Sequence, residues 1–182
     1  IQQEKFSSAM IEIENALASF GPDEGTLKTA LAVRDKIGLL SIKEGTKQNT
    51  LSLCMIVKNE EKHLPRCLKS VRNVVDEMII VDTGSTDKTI DIARIFGAKV
   101  FEFPWTGDFS AARNHSLDQA TGDWILILDA DEVVSALDFS ELQSLLRKKS
   151  VTPAAYSIVT RNYVTNVSFM GWTSNNGQYP EE

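Results

Sequence analysis

Three apolar runs in the middle of the chain, Leu51–Val57, Met78–Val81 and Trp124–Leu128, each stop abruptly at polar and acidic residues. Met78–Val81 is unbroken, and a run this short suits a strand whose two faces are both covered, as in a parallel sheet. Between the runs, apolar residues return at helical spacing: Leu64, Cys67, Leu68 and Val71, then Ile90, Ala93 and Phe96 with Gly97 placed to end the helix. Val100–Phe103 reads as a further strand and residues 109–120 as a further helix. A helix is expected to open at Ser140, with Gln143 completing a capping box, and to close on Arg147-Lys148-Lys149. Ala155–Val159 reads as a last strand. Strands alternating with helices predict an α/β domain built on a mainly parallel sheet flanked by helices.

The first forty residues have a different rhythm. Phe6, Met10, Ile13, Leu17 and Phe20 form one helical stripe, and Leu27, Ala30, Leu31 and Ile37 another, separated by Gly21-Pro22-Asp23-Glu24-Gly25. The expected organisation is a helical hairpin over 1–42, similar to a unit of a tetratricopeptide array, a polar linker over 43–50, and the α/β domain over 51–182. The hairpin is a candidate contact for a protein partner. A formal net charge of −6 and a pI near 5.0 argue against a nucleic-acid partner, which a basic patch would serve. No run is long enough to span a bilayer and the first residues lack the pattern of a signal peptide, so a cytoplasmic location is expected, with peripheral contact to the inner membrane face as a variant. The missing initiator Met and an end, Pro180-Glu181-Glu182, that brings no closing element predict a piece of a longer protein. The two cysteines, Cys54 and Cys67, fall on apolar stripes and read as buried thiols rather than a disulfide.

Ligands of open parallel sheets bind at the carboxyl ends of the strands. The residues there are Lys58-Asn59-Glu60-Glu61, Asp82-Thr83-Gly84-Ser85-Thr86-Asp87 and Asp129-Ala130-Asp131-Glu132. If the third strand runs on through Asp129-Ala130-Asp131, its two carboxylates share a face and suit a hard cation bridging to phosphate. A helix cap followed by a first-turn acid is the plainer reading of the same residues. Asp82-Thr83-Gly84-Ser85 also matches the aspartic-protease signature, but that enzyme needs a second such aspartate and an all-β fold. Otherwise Asp82 ends a strand where it can accept hydrogen bonds from a ligand, and Gly84 lets backbone approach. Arg113, near a helix start, could reach a phosphate with its fork of donors. His63 and His115 have no metal-spaced neighbours and read as structural or solvent-facing.

Together, Val57-Lys58-Asn59-Glu60-Glu61, Val81–Asp87, Phe109-Ser110-Ala111-Ala112-Arg113-Asn114 and Gly122-Asp123-Trp124 leading to Asp129–Glu132 resemble the donor half of family 2, GT-A type glycosyltransferases, over about Leu51 to Tyr163. The similarity is to bacterial lipopolysaccharide-core glucosyltransferases, some fused to tetratricopeptide repeats. It implies a GT-A type, Rossmann-like sheet and a nucleotide-sugar site formed by Val57, Lys58, Asn59, Glu60, Asp82, Gly84, Ser85, Arg113, Asp129 and Ala130. Asp131, with Asp129, would hold Mn²⁺ or Mg²⁺, Asp129 lying nearer the ribose. Family members often carry a second Asp where this chain has Thr83, which bears on the base; uridine is the usual one.

The resemblance implies an inverting transfer of a sugar from a nucleotide-diphosphate donor, UDP by preference, to an acceptor hydroxyl on a glycan, a lipid-linked glycan or a protein. A carboxylate must take the acceptor's proton. The family draws it from downstream of the metal strand, and no residue here matches that motif, so the base is expected outside this chain and the chain alone is expected to be weakly active. The rival reading is a non-catalytic nucleotide-sugar-binding or scaffold fragment.

Overall fold

The computed structural model describes residues 2–40, 42, 49–146 and 153–158. Two compact units divide the chain, Ile1–Lys149 and Ser150–Glu182. The first unit runs α1 (Gln2–Phe20), α2 (Glu24–Ile37), β1 (Leu51–Val57), α3 (Leu64–Val71), β2 (Glu77–Asp82), α4 (Thr89–Ile95), β3 (Lys99–Glu102), α5 (Phe109–Asp118), β4 (Trp124–Ile127) and α6 (Phe139–Leu146). The four strands form one parallel sheet in the order β3-β2-β1-β4. The expected α/β fold is therefore what the chain adopts, and a parallel sheet of this kind removes the aspartic-protease reading.

Burial explains the apolar runs. Every residue of β2 is buried, and six of the seven in β1. Leu53, Met55, Met78 and Ile80 share a core with Leu64, Cys67, Leu68, Ile92 and Phe96 from the helices. A fully buried Leu or Ile contributes roughly 1.5–3 kcal/mol. On the opposite face Cys54 Sγ lies 3.5 Å from Ser116 O of α5, so α5 packs there. β4 is the exception. As an edge strand it buries Leu126 but leaves Ile125 and Ile127 43% and 49% exposed.

The helical hairpin packs against this layer, α1 on α3 and α2 on α4. Met10, Leu17, Leu27 and Ala30, from the two apolar stripes, are buried in the common core. Asp23 caps α2 by accepting from Thr26 N at 3.0 Å. A buried ion cluster ties the hairpin down. Arg34 donates to Glu14 Oε1 at 2.8 Å, to Ile95 O at 2.7 Å and to Gly38 O at 3.2 Å, while Arg72 Nε lies 3.5 Å from Glu14 Oε2. Burial pushes the Glu14 carboxyl above its ordinary value, against the pull of Arg72 and Arg34. Gly97 completes the junction. It has φ +84°, a Cβ there would sit 3.0 Å from Leu40 N, and Leu40 N donates to its carbonyl at 2.8 Å.

At the end of the sheet away from the strands' carboxyl termini, the fully buried Glu77 accepts from Ser52 Oγ, Thr121 N and Thr121 Oγ1 on Oε1 and from Lys99 Nζ on Oε2. Burial works against ionisation, but Lys99, Ser52 and Thr121 outweigh it and hold the carboxyl at about 2. Asp123, in the Gly122-Asp123-Trp124 motif, belongs to this end too, accepting from Thr50 N and Thr50 Oγ1 at 2.9 Å each. Gly122 N donates to Ser52 Oγ at 2.8 Å, and the closeness of Ser52 leaves no room for a side chain.

Two expectations near the end of the chain need correction. The helix expected to open at Ser140 opens earlier: Ser135 caps a 3₁₀ turn, Ala136–Asp138, that runs directly into α6, so Ser140 and Gln143 lie inside the helix. Arg147-Lys148-Lys149, the expected helix end, lies outside the described residues. In the second unit, residues 155–158 of the expected strand are exposed and form no strand; an apolar run becomes one only where a ladder partner meets its backbone. Val159 lies outside the described residues, as do linker residues 43–48. Among the described residues no helix is long and apolar enough to cross a membrane.

Candidate functional site

The strand order places β1 between β2 and β4, so the chain reverses direction across the sheet between β1 and β4. A crevice opens at such a switch point, outside the carboxyl ends of the strands. Here it is a cleft of about 330 Å³, lined by Ile56, Val57, Lys58, Glu60, Thr83, Trp105, Phe109, Arg113, Asp129, Ala130 and Asp131. Seven of the residues expected at the site thus meet: Val57, Lys58, Glu60, Arg113, Asp129, Ala130 and Asp131.

Asn59, Asp82, Gly84 and Ser85 do not line it; they belong to the two loops from which Lys58, Glu60 and Thr83 do. Asn59 N donates to Ser85 Oγ at 2.8 Å, and Asn59 Oδ1 accepts from Thr86 N at 2.8 Å. Glu60 N donates to Thr89 Oγ1 at 2.7 Å, Glu61 N to Asp87 Oδ2 at 3.1 Å, and Lys88 N to Glu61 Oε2 at 3.1 Å. Thr83 N and Oγ1 both donate to Val57 O. The loops after β1 and β2 are thereby stitched together rung by rung. Asn59 holds the left-handed φ of +57° that this stitching requires, a conformation Asn tolerates better than most residues.

Asp82 closes its own turn, Oδ2 accepting from Gly84 N and Ser85 N at 3.0 Å each, with Gly84 at φ +107°. Its Oδ1 is buried with no partner among the described residues. A buried carboxylate oxygen left unpaired is costly unless a ligand donor completes it.

The acids after β4 converge by a different route from the one expected. The strand stops at Ile127, and Asp129–Glu132 form a turn, Glu132 N donating to Asp129 O and Asp129 N to Glu132 Oε2, each at 3.0 Å. The carboxylates reach the cleft through a turn, neither by strand alternation nor from a helix cap. Arg113 Nη2 donates to Asp129 Oδ1 at 3.3 Å from one turn inside α5, whose first residues Asp108 caps. Asp131 is exposed to the cleft, and its carboxylate has no protein partner among the described residues.

Among the described residues no three His, Cys, Asp or Glu side chains are grouped to hold a metal alone. Two carboxylates, one of them unengaged, nevertheless fit a hard cation that takes its other ligands from phosphate and water, the way Mg²⁺ is usually held. Trp105 and Phe109, which the reading of the sequence did not assign to the site, stack edge to face with centroids 4.6 Å apart and are 39% and 68% exposed. Their signal was present: one large aromatic just ahead of a helix that carries a cleft-facing cation, and another opening it.

Neither histidine enters the cleft. His63 Nδ1 pairs with Glu60 Oε2 at 3.0 Å in solvent, and His115 packs against Phe101 and Phe103. Both cysteines are free and buried. Burial pushes Cys54 up to about 11 and Cys67 to about 12.

Residues 52–181 match the glycosyl transferase family 2 model. The chain is 53% identical over 102 residues to a TPR repeat-containing protein of Synechococcus elongatus, covering 56% of this chain and 25% of that protein. It is 30% identical over 159 residues to the SPbeta prophage-derived glycosyltransferase SunS of Bacillus subtilis, covering 79% of this chain and 36% of that one. The fold is similar to that of the mannosyltransferase PcManGT of Pyrobaculum calidifontis, solved with GDP-Man and Mn²⁺, at TM-score 0.52 and 20% identity over 87% of this chain and 46% of that one. The chain thus spans between a quarter and half the length of these relatives. With a family model matched along most of its length, the chain belongs to glycosyl transferase family 2.

Proposed function

We propose that this chain is the donor-binding half of an inverting glycosyltransferase that takes a sugar from a nucleotide-diphosphate donor, UDP by preference. The observation that carries the reading is the cleft itself. It gathers two cations, Lys58 and Arg113, and three carboxylates, Glu60, Asp129 and Asp131, at the strand-order reversal of a parallel sheet. A nucleoside diphosphate combines a polyanion with a base and ribose offering hydrogen-bond donors, and each has a complement here.

Lys58 and Arg113 are the donors for diphosphate oxygens, Arg113 exchanging Asp129 for phosphate. Asp131, with Asp129, is the seat of a divalent cation, Mn²⁺ or Mg²⁺. Such an ion neutralises charge on a leaving diphosphate. Asp82 Oδ1 is the acceptor for a ligand N–H or O–H. Trp105 and Phe109 wall the cleft and reduce the water around the diphosphate, which strengthens each charge interaction there. The acceptor is a hydroxyl on a glycan, lipid-linked glycan or protein, and the base that deprotonates it is assigned outside this chain.

Calorimetry with UDP, GDP and dTDP, each with and without Mn²⁺, tests the reading on the full chain and on Asp131→Ala. Metal-dependent binding that the substitution abolishes supports it. If the unmodified chain binds none of the three, the donor site is wrong. Transfer to a defined acceptor by this chain alone would show that the base lies within it.

A further inference from the structure

α3 does more than cover the sheet. Its Ser70 hydroxyl donates to Cys67 O at 2.7 Å and accepts from Val134 N at 3.1 Å. One turn earlier, Cys67 Sγ lies 3.5 Å from Asp129 O. The segment from Asp129 to Val134 is therefore held to one helix near both of its ends, and Glu132 braces it from within through Asp129 N. The same helix grows out of the loop after β1, His63 N and Leu64 N both donating to Glu60 O. Cys67 is fully buried and Ser70 partly so, and neither lines the cleft.

We propose that Ser70 is a positioning residue for the acid turn: through Val134 N it fixes where Asp131 and Asp129 stand relative to the loop that carries Lys58 and Glu60. This rests on the reading of those aspartates as the seat of the cation. A hydroxyl that both donates and accepts is a rigid link, because each bond orients it for the other. Its loss frees the far end of the turn, and a seat made of only two carboxylates has little else to keep its spacing.

The consequence separates cation from nucleotide. Ser70→Ala should leave nucleotide binding without metal unchanged, because Lys58, Asp82 and Arg113 are untouched. It should weaken Mn²⁺ binding to the nucleotide-loaded protein by about tenfold, within the range seen when groups that orient a metal's ligands are removed. Ser70→Thr, which keeps the hydroxyl, should recover most of it.

Amide hydrogen exchange on the ligand-free full chain provides a readout that needs no donor. Ser70→Ala should speed exchange at Val134 and Glu132 by about tenfold or more while the β1 and β2 amides keep their protection, and Ser70→Thr should restore it. Exchange at residues 129–134 that does not change in Ser70→Ala would overturn the proposal. So would an equal loss of nucleotide binding with and without Mn²⁺. Should the unmodified chain bind no nucleotide, the donor-site reading fails while the exchange result still decides the role of Ser70. Cys67→Ser, which keeps a donor toward Asp129 O, serves as the second variant if Ser70→Ala does not fold. It should keep the exchange at Glu132 slow where Cys67→Ala does not, and equal exchange in the two would count against the clamp.

Discussion

Arg113 Nη2 and Asp129 Oδ1 face each other across the cleft at 3.3 Å, a long contact between side chains 27% and 60% exposed. A pair this open is worth under about 1 kcal/mol to stability, so Arg113 is held loosely enough to change partners. Arg113→Ala should therefore leave the melting temperature within a few degrees of the parent. It should weaken binding of UDP by about tenfold or more, equivalent to about 1.4 kcal/mol, while uridine binding stays constant. Calorimetry with both ligands checks this; an equal loss for uridine would move Arg113 away from the diphosphate.

Glu77 predicts how the fold responds to acid. Its carboxyl is held at about 2 against an ordinary 4.5, so its contribution is complete above about pH 4.5 and is lost as the pH falls from there toward 2. Thermal unfolding between pH 7 and 3 should show a falling midpoint below about pH 5. Glu77→Gln should lower the midpoint at pH 7, at a cost of roughly 3 kcal/mol, and flatten the acid limb. An unaltered acid limb would exonerate Glu77.

The ion cluster under the hairpin makes a graded prediction. Arg34 is 5% exposed and loses its only carboxylate partner among the described residues in Glu14→Ala, whereas Arg72 is 25% exposed and can turn to water. Breaking a buried pair from one side costs about 3–5 kcal/mol. In urea unfolding Glu14→Ala should be destabilised by that order and Arg72→Ala by much less. The reverse ranking would show that Arg72 is the principal partner of Glu14.

The thiols should be silent. With Cys54 pushed up to about 11 and Cys67 to about 12, both buried, neither offers thiolate at pH 8. Ellman's reagent should titrate none in the native protein and two in guanidinium, matching the two cysteines of the chain. Rapid native labelling would show that the core opens far more readily than its burial suggests.

The sheet was legible because strands buried on both faces cannot alternate: Leu51–Val57 has the bounds read from its apolar run alone. The cleft was legible because polar residues follow buried strands only where the backbone leaves the core. What the sequence hid depends on partners distant along the chain. Glu14 and Arg34 occupy what looks like a polar helix face, and only the docking of the hairpin against α3 and α4 makes them interior. Asn59 and Ser85 carry the residue types of a ligand loop yet bond across the two loops, while Gly84 bonds to Asp82 within its own turn, a choice no local pattern reveals. Asp129 and Asp131 read as sharing a face by strand alternation or as a helix cap with a first-turn acid; a turn closed by Glu132 brings them to the cleft instead. Ser140 and Gln143 matched a cap, but Ser135 and its 3₁₀ turn had already started the helix.

The stitched loops after β1 and β2 have a thermodynamic meaning of their own. Ordering a flexible loop around a ligand costs about 1–2 kcal/mol of backbone entropy per residue, subtracted from affinity at the moment of encounter. Here the rungs from Asn59 to Ser85, Glu60 to Thr89 and Glu61 to Asp87 settle that cost when the chain folds. For these two loops that entropy is not charged again on binding, so it takes nothing from the affinity of whatever they receive.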